Sequence, residues 1–251
     1  MLKWDGTDIT PLISKSSVYE GKHLKTKYWL IHIPDSDKEK GFSETCIAKG
    51  SKNNIPCLID ELKPIFGLQK LGTHWCKHKG KYMILIRCVK TPDDHIKQEL
   101  TLDKIDVRKN TSSDSSEGSR MGLLKLQIQE IFAFRELLGI SCSFESSILI
   151  REYKNSIYPI SQSEASMSFN DTKCRVPETM LNKWFEETNI DTVVARILKI
   201  HDLRYMTEVL NDIGTKIESV IERLDRTLIA YKDGIVSRIT ERLQSSLTLK
   251  T

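Results

Sequence analysis

Short apolar runs alternate with polar stretches in the first part of the chain. Three runs are rich in β-branched and aromatic residues and are bounded by Gly, Asp or Lys: KYWLIHI (27–33), ETCIAKG (44–50) and KYMILIRCV (81–89). This pattern is typical of strands. The segment IPCLIDELKPIFGL (55–68) instead predicts a helix that starts at Pro56 and breaks near Pro64, because proline fits a first turn but not a helix interior.

From residue 121 onward, apolar residues recur at helical spacing. MGLLKLQIQEIFAFRELLG (121–139) predicts a helix that ends on a glycine suited to the left-handed position. A polar loop and a hairpin of two short strands follow, up to residue 161. The segment 176–203 then predicts two helices, with Pro177 at a first-turn position.

The most regular pattern lies near the C-terminus. Apolar residues recur there in alternating steps of three and four: Met206, Leu210, Ile213, Ile217, Val220, Leu224, Leu228, Tyr231, Ile235, Ile239 and Leu243. They predict one long amphipathic helix over 206–243, with a weak point at Asp233–Gly234. Core packing would explain the stripe, but the Glu and Arg residues beside it also suit a partner protein or self-association.

The segment KNTSSDSSEGSR (109–120) has no apolar residue, so it predicts a flexible linker. The linker separates a sheet-rich N-terminal region at 1–108 from a helical C-terminal region at 121–251. The fold class predicted from these elements is α+β.

Composition and the cysteine pattern indicate the number of domains and the cellular compartment. The 251 residues include 39% hydrophobic and 29% charged ones, enough for one large or two small domains. We expect neither a signal peptide nor a membrane span, because no window has the ~18–20 consecutive apolar residues that a bilayer requires. Six cysteines occur singly, without a CxxC pair, which favours an intracellular, cytoplasmic setting. The net charge of +4 indicates no partner class by itself.

A lysine and a glutamate suggest phosphate chemistry. Lys49 ends the apolar run CIAK, and Glu61 lies on the helix that follows. Kinases fix a phosphate-binding lysine through an ion pair of this kind. Lys49 and Glu61 are therefore the candidates for contact with ATP. The alternative is a solvated strand end and an exposed helix face.

The sequence around the hairpin also favours this interpretation. FRELLGISCSFESSILI (134–150), with YPISQSE (158–164), resembles the catalytic region of HipA-like and phosphatidylinositol-kinase-like proteins of large DNA viruses. VPETMLNKWF (176–185) is similar to the helix that follows that region, and the order of elements matches a two-lobed kinase. The resemblance implies a reduced kinase-like fold with ATP and Mg²⁺ as cofactors.

The same resemblance shows what this chain lacks. Cys142 stands where the family has a loop aspartate, Ser147 where it has an asparagine, and SQSE follows Ile160 in place of an aspartate-led pair. Glu145 and Glu164 are the nearest carboxylates. The resemblance therefore implies a pseudokinase that acts mainly by binding a partner, with Glu145, Ser147 and Glu164 lining the remainder of any ATP site.

The phosphate-binding loop is reduced as well. Only Gly21 breaks the run from Ser17 to Lys27, and the chain has no GxxxxGK[ST] motif. Residual nucleotide binding would then depend mainly on Lys49 and Glu61.

A metal site and a nucleic-acid site are the remaining hypotheses. His74, Cys76 and His78 alternate along one strand, but zinc sites usually draw on a second ligand pair, so we expect no metal there. The second hypothesis rests on two basic clusters, KHLKTK (22–27) and KHKGK (77–81).

Three aromatic residues are interleaved with these basic clusters: Tyr28, Trp75 and Tyr82. Cations beside aromatic rings can bind a nucleic-acid strand, which makes a nucleic-acid-binding or assembly protein the competing function. The alternative is a solvated hairpin surface whose aromatic rings face the core.

Overall fold

The computed structural model describes most of the chain, but not all of it. The described residues are 7–8, 18–19, 28–34, 43–50, 54–70, 72–88, 100–101, 115–140, 148–153, 156–161, 176–186, 188–200, 202–224 and 226–248. By their contacts, the residues divide into two compact units. The first consists of Met1–Glu61 with Lys70–His95, and the second of Leu62–Gln69 with Ile96–Thr251.

The first unit contains a six-stranded sheet. Its strands are β1 (Thr7–Asp8), β2 (Val18–Tyr19), β3 (Tyr28–Pro34), β4 (Ser43–Gly50), β5 (Thr73–His78) and β6 (Lys81–Cys88). The order across the sheet is β1-β5-β6-β4-β3-β2, and only β1 and β5 run parallel. The three strands predicted from the apolar runs are confirmed as β3, β4 and β6, and two of them form the centre.

A tight turn joins β5 to β6. Its two residues, Lys79 and Gly80, have φ angles of 48° and 73°. A two-residue loop with both φ angles positive matches the right-handed twist of the strands that it joins. On β6, the consecutive residues Met83 and Ile84 are both almost fully buried. Consecutive strand residues point to opposite faces, so both faces of the sheet are covered at these two residues.

One helix belongs mainly to this unit. Helix α1 (Ile55–Leu62) starts one residue before Pro56 and gives way to a 3-10 turn at Lys63–Phe66, which contains Pro64. The predicted helix and its break are therefore confirmed. Gly67, at φ 76°, ends the turn, because an L-residue other than glycine is strained in that conformation. The buried side of α1 is formed by Cys57, Leu58, Ile59 and Leu62.

The second unit combines a small sheet with five helices in its described part. The sheet contains β7 (Leu100–Thr101), β8 (Ile148–Tyr153) and β9 (Ser156–Ser161), all antiparallel. The helices are α2 (Ser115–Leu138), α3 (Glu178–Trp184), α4 (Ile190–Ile197), α5 (Met206–Leu224) and α6 (Ile229–Thr248). The predicted hairpin after α2 and the two helices within 176–203 are confirmed, as is the presence of both helices and sheets that an α+β class requires.

Helix α2 begins earlier than the sequence predicts. Residues 115–120, assigned to the linker, form its first turns, whereas residues 109–114 lie outside the described residues. The prediction failed there because it rested on the absence of apolar residues, whereas backbone hydrogen bonds form the helix and can extend it beyond its apolar face. The division into regions at 1–108, 109–120 and 121–251 otherwise stays a prediction.

The C-terminal end of α2 follows the prediction. Gly139 has φ 61°, its N–H donates to the carbonyl of Glu136 (3.2 Å), and the N–H of Ile140 donates to the carbonyl of Arg135 (2.9 Å). These two bonds define the glycine cap that closes many helices.

Helix α2 also supplies much of the core of the second unit. It packs against α3, α4, α6 and β9. Its Phe134 meets the ring of Phe66 edge-on at 5.4 Å, and its Phe132 stacks at 6.4 Å on Phe185, which follows α3. Among the described residues, no helix combines the length and apolar character that crossing a membrane would require.

The predicted single helix over 206–243 is wrong, because two antiparallel helices occupy this range. Lys232 on α6 forms an ion pair with Glu218 on α5, and a Cβ on Gly214 would lie 3.8 Å from Cγ2 of Val236. The break falls around a 3-10 turn at Arg226–Leu228 rather than at Asp233–Gly234, which lies within α6.

The hairpin of α5 and α6 explains why the apolar stripe is so regular. Its buried members are Ile213, Ile217, Val220, Leu228, Ile235, Ile239 and Leu243. Two helices that fold back on one another satisfy the same three-and-four spacing as one helix with an external partner. The pattern alone therefore could not distinguish the two cases.

The end of α4 offers a test of backbone strain. Lys199 has φ 57° and occupies the position that glycine takes in this kind of cap, with bonds from Lys199 N to Arg196 O and from Ile200 N to Ala195 O. A left-handed conformation costs an L-residue about 1–2 kcal/mol. We expect Lys199→Gly to raise the free energy of unfolding by about 1 kcal/mol, measured by urea denaturation. Lys199→Ala, which keeps the Cβ, should change it little, and an equal gain in both variants would contradict the strain.

Candidate functional site

Lys49 lies near the end of a central strand, as the sequence predicts. It is the residue before Gly50 at the end of β4, and it is paired with Tyr28 on β3 and with Ile84 on β6. Helix α1 follows from residue 55 in the same unit. The strand position predicted for Lys49 is therefore confirmed, while its contact with phosphates stays a prediction.

Glu61 lies one residue before the end of α1 and is mostly buried. Its side chain is 13% exposed and forms an ion pair with Lys70, through Oε1 and Nζ. The alternative of an exposed helix face is therefore wrong for Glu61. A carboxylate has two oxygens and can serve two cations. The ion pair with Lys70 is thus compatible with a further contact to a phosphate-binding lysine.

Asp60, beside Glu61, was missed by the sequence analysis. It is fully buried, and its Oδ2 accepts the backbone N–H of Thr73 at 2.8 Å. This bond ties α1 to the first residue of β5, and so fixes the rotation of the helix that presents Glu61. A second carboxylate inside the apolar run CLIDEL was the available signal, because a buried charge needs a partner.

Three predicted site residues lie outside the described residues: Glu145, Ser147 and Glu164. The elements around them are described. Helix α2 and its cap end at Ile140, β8 begins at Ile148, and β9 ends at Ser161. The order of helix, connection and hairpin is the one that the resemblance implies, while the roles of the three residues stay predictions.

A buried carboxylate anchors the end of α2. Oε2 of Glu136 accepts the backbone N–H of Val176 at 3.2 Å, and its Oε1 lies 3.5 Å from Nη2 of Arg242. The carbonyl of Glu136 accepts Nε of Arg238 at 2.5 Å. Arg242 in turn lies 2.9 Å from Oδ1 of Asp191 on α4. Three segments of the second unit thus meet at Glu136, and Arg242 links α4 to them.

The signal for this anchor was present in the sequence. Arg135 and Glu136 interrupt the apolar run FAFRELLG, and both side chains are buried. Charged residues at buried positions point to a network of ion pairs and hydrogen bonds. The anchor lies directly before the connection at 141–147, so it holds one end of the segment that carries Glu145 and Ser147.

The alternating triplet on β5 has mixed surroundings. Cys76 is fully buried, whereas His74 and His78 are half-buried. Burial raises the pKa of the Cys76 thiol to about 12, and its Sγ donates to the carbonyl of Met83 at 3.5 Å. The thiol therefore stays protonated near neutral pH, although zinc binds the thiolate. The described residues contain no group of three or more His, Cys, Asp or Glu side chains arranged to hold a metal ion.

Comparison with known proteins identifies the fold. No family model matches the chain, and no curated protein matches it. Among solved structures, the chain is similar to the Helicobacter pylori proinflammatory kinase CtkA, with 13% identity and a TM-score of 0.51 over 98% of this chain and 100% of CtkA.

A second similar structure is HipA of Shewanella oneidensis MR-1, from a toxin–antitoxin complex with HipB and operator DNA. The identity is 10% and the TM-score 0.53, over 89% of this chain and 66% of HipA. At such low identities the similarity concerns the fold alone. The chain therefore has a HipA-like kinase fold.

Proposed function

We propose that the protein is a degenerate, pseudokinase-type member of the kinase-like fold that retains ATP binding at Lys49 and acts mainly by binding a partner. One observation carries the nucleotide part. Lys49 lies near the end of a central strand and is followed by a helix with a mostly buried glutamate, in a chain that is similar in fold to the kinase CtkA.

Lys49 and Glu61 have distinct roles in this proposal. The ammonium group of Lys49 contacts the phosphates of ATP, and Glu61 holds that ammonium group in place. Asp60 fixes the helix from its buried side, through Thr73. Lys70 is the cation paired with Glu61 when ATP is absent, and a carboxylate at 13% exposure needs such a partner.

The proposed loss of phosphoryl transfer rests on the sequence. Phosphoryl transfer needs one carboxylate to orient the acceptor hydroxyl and others to hold Mg²⁺ against the phosphates. Cys142, Ser147 and Gln162 supply no such charge. Glu145 and Glu164 are the nearest residues that could contact Mg²⁺. We therefore expect ATP to bind without efficient transfer of its terminal phosphate.

A partner contact through the C-terminal hairpin is part of the proposal. The buried apolar stripe of α5 and α6 is covered by the chain itself, so a partner or a second copy would have to use outer residues of this region. Tyr205 and Ile229 are 55% and 46% exposed there. The intracellular and viral setting rests on the cysteine pattern and the resemblance alone.

Calorimetric titration with ATP and Mg²⁺ tests the nucleotide site. We expect Lys49→Ala to weaken ATP binding at least tenfold, about 1.4 kcal/mol, because the charge on the phosphates loses its cation. Lys216→Ala, which removes an exposed lysine of α5, should leave the affinity unchanged. Melting curves without ATP verify that both variants fold. Equal affinities for Lys49→Ala and the unaltered chain would contradict the site.

Transfer of labelled phosphate from ATP tests the degenerate part separately. We expect no label on the protein or on a generic acceptor protein above the level without enzyme. Magnesium-dependent transfer that is lost in Glu145→Gln or Glu164→Gln would show an active kinase, and would overturn the degenerate part while leaving ATP binding intact.

A further inference from the structure

The tip of the β5–β6 hairpin gathers aromatic and cationic side chains. We name this surface the β5–β6 patch, formed by Trp75, Lys77, Lys79, Lys81 and Tyr82. Tyr82 is 42% exposed, and its ring lies 4.6 Å from that of Trp75 and has Nζ of Lys77 over it at 5.0 Å. The expectation that the aromatic rings of this hairpin face the core is therefore wrong for Tyr82.

The register of the two strands explains the cluster. Lys77 lies directly opposite Tyr82, and Trp75 is two residues before Lys77 on β5. Residues opposite one another, or two apart on one strand, share a face of the sheet. On the other face, Cys76 and Met83 are almost fully buried, and Lys81 lies at the tip of that face, next to the turn that contains Lys79. The patch thus lies on a packed sheet, so the hairpin loses little conformational entropy when the patch binds a ligand.

The charge of the hairpin favours an anionic ligand. Residues 72–84 include Lys77, Lys79 and Lys81 but no Asp or Glu. By register, Asp8 on β1 lies opposite Lys77, and one further carboxylate, Asp60, accepts the N–H of Thr73 at the far end of β5. The hairpin segment itself is therefore cationic, with three lysines and no carboxylate.

An unused donor lies next to the exposed ring. Nε1 of Trp75 is buried and has no hydrogen-bond partner among the described residues. The indole N–H of a buried tryptophan usually finds an acceptor. Because Nε1 has almost no accessible surface, a ligand on this face is bound by the ring of Tyr82 and the lysines rather than by this donor.

We propose that the β5–β6 patch binds single-stranded nucleic acid, with a base stacked on Tyr82 and phosphates contacted by Lys77, Lys79 and Lys81. Every base has a face that stacks on an aromatic ring, and lysines beside the ring follow the backbone. An acidic peptide would use the lysines but not the exposed ring. This function goes beyond nucleotide binding at Lys49 and does not depend on it.

Fluorescence anisotropy with a labelled mixed-sequence DNA strand of about 12 nucleotides, within the range that one binding module covers, tests the proposal. We expect Tyr82→Ala to weaken binding roughly tenfold and Tyr82→Phe to retain it, because stacking needs the ring and not the hydroxyl. Replacement of Lys77, Lys79 and Lys81 by glutamine should reduce the slope of log affinity against log salt by about 2, since each phosphate contact on a single strand contributes about 0.7. Unchanged affinity in Tyr82→Ala, or no binding by the unaltered chain, would overturn the proposal.

Two competitors distinguish the patch from a surface for any polyanion and from the Lys49 site. Polyglutamate at equal charge should displace little of the strand, and equal displacement would show that the surface binds polyanions in general.

By register, Trp75, Ile84 and Lys49 form one row across three strands, so the patch lies about 10 Å from Lys49. Saturating ATP with Mg²⁺ should leave the strand bound, whereas full displacement would assign binding to the Lys49 site and overturn the patch.

Discussion

Replacement of Trp184 by alanine is expected to lower the free energy of unfolding by about 3–5 kcal/mol. The side chain is fully buried at the end of α3, and its removal leaves a cavity that the surrounding residues fill only in part. The backbone carbonyl of Trp184 accepts Nε2 of Gln129 at 2.7 Å, which holds the backbone on α2 and hinders collapse of the site. Urea denaturation followed by circular dichroism measures the loss.

The neighbouring residue provides the control for this variant. Nζ of Lys183 stands 5.2 Å from the ring of Trp184. A cation–π contact between a partly buried lysine and a buried ring contributes up to about 2 kcal/mol, so Lys183→Ala should lose no more than that. The loss of unfolding free energy in Trp184→Phe should lie between the losses in Lys183→Ala and Trp184→Ala. Trp184→Phe should stay folded even if Trp184→Ala does not. A loss below about 1 kcal/mol in Trp184→Ala would contradict a buried ring.

Replacement of Glu136 by alanine is expected to lower the free energy of unfolding by about 2–4 kcal/mol. The buried N–H of Val176 loses its acceptor and Arg242 loses one of its two carboxylates. The side chain of Arg242 is 26% exposed, so water screens part of the second effect. The same urea denaturation measures this loss.

Glu130 on the same helix is a matched control. It pairs with Arg196 at 3.3 Å, but the two side chains are 30% and 40% exposed. A solvated pair of this kind contributes at most about 1 kcal/mol, so Glu130→Ala should have a small effect. A double-mutant cycle of Glu136 with Arg242 isolates their coupling. Equal losses at Glu130 and Glu136 would show that burial does not distinguish the two carboxylates.

The Glu136 anchor also bears on the proposed function. Helix α2 leads directly into the connection that carries Glu145 and Ser147, and Val176 follows the segment that carries Glu164. One end of each of these two segments is thus held by the carboxylate of Glu136. The loss of the anchor should weaken ATP binding only if these segments contribute to it, which calorimetry on Glu136→Gln can measure beside Lys49→Ala.

The sequence by itself determined most of the local structure. The strands β3, β4 and β6, the helix broken near Pro64, the glycine cap at Gly139 and the hairpin after α2 all follow from patterns within a few residues. Proline, glycine and apolar periodicity act through backbone sterics and hydrogen bonding between near neighbours, so their consequences can be predicted locally. The position of Lys49 near the end of a strand belongs to the same class.

The tertiary structure alone decided which surfaces meet. The apolar stripe at 206–243 is buried by the chain folding back on itself, Glu61 pairs with Lys70, and Tyr82 is exposed at the tip of its hairpin. Asp60 accepts a hydrogen bond from Thr73, and Glu136 binds Val176 and Arg242. An apolar pattern specifies that a face is buried but not against what, and a buried charge specifies that a partner exists but not which one. Those choices are made by packing between segments that are distant in sequence, which no local pattern encodes.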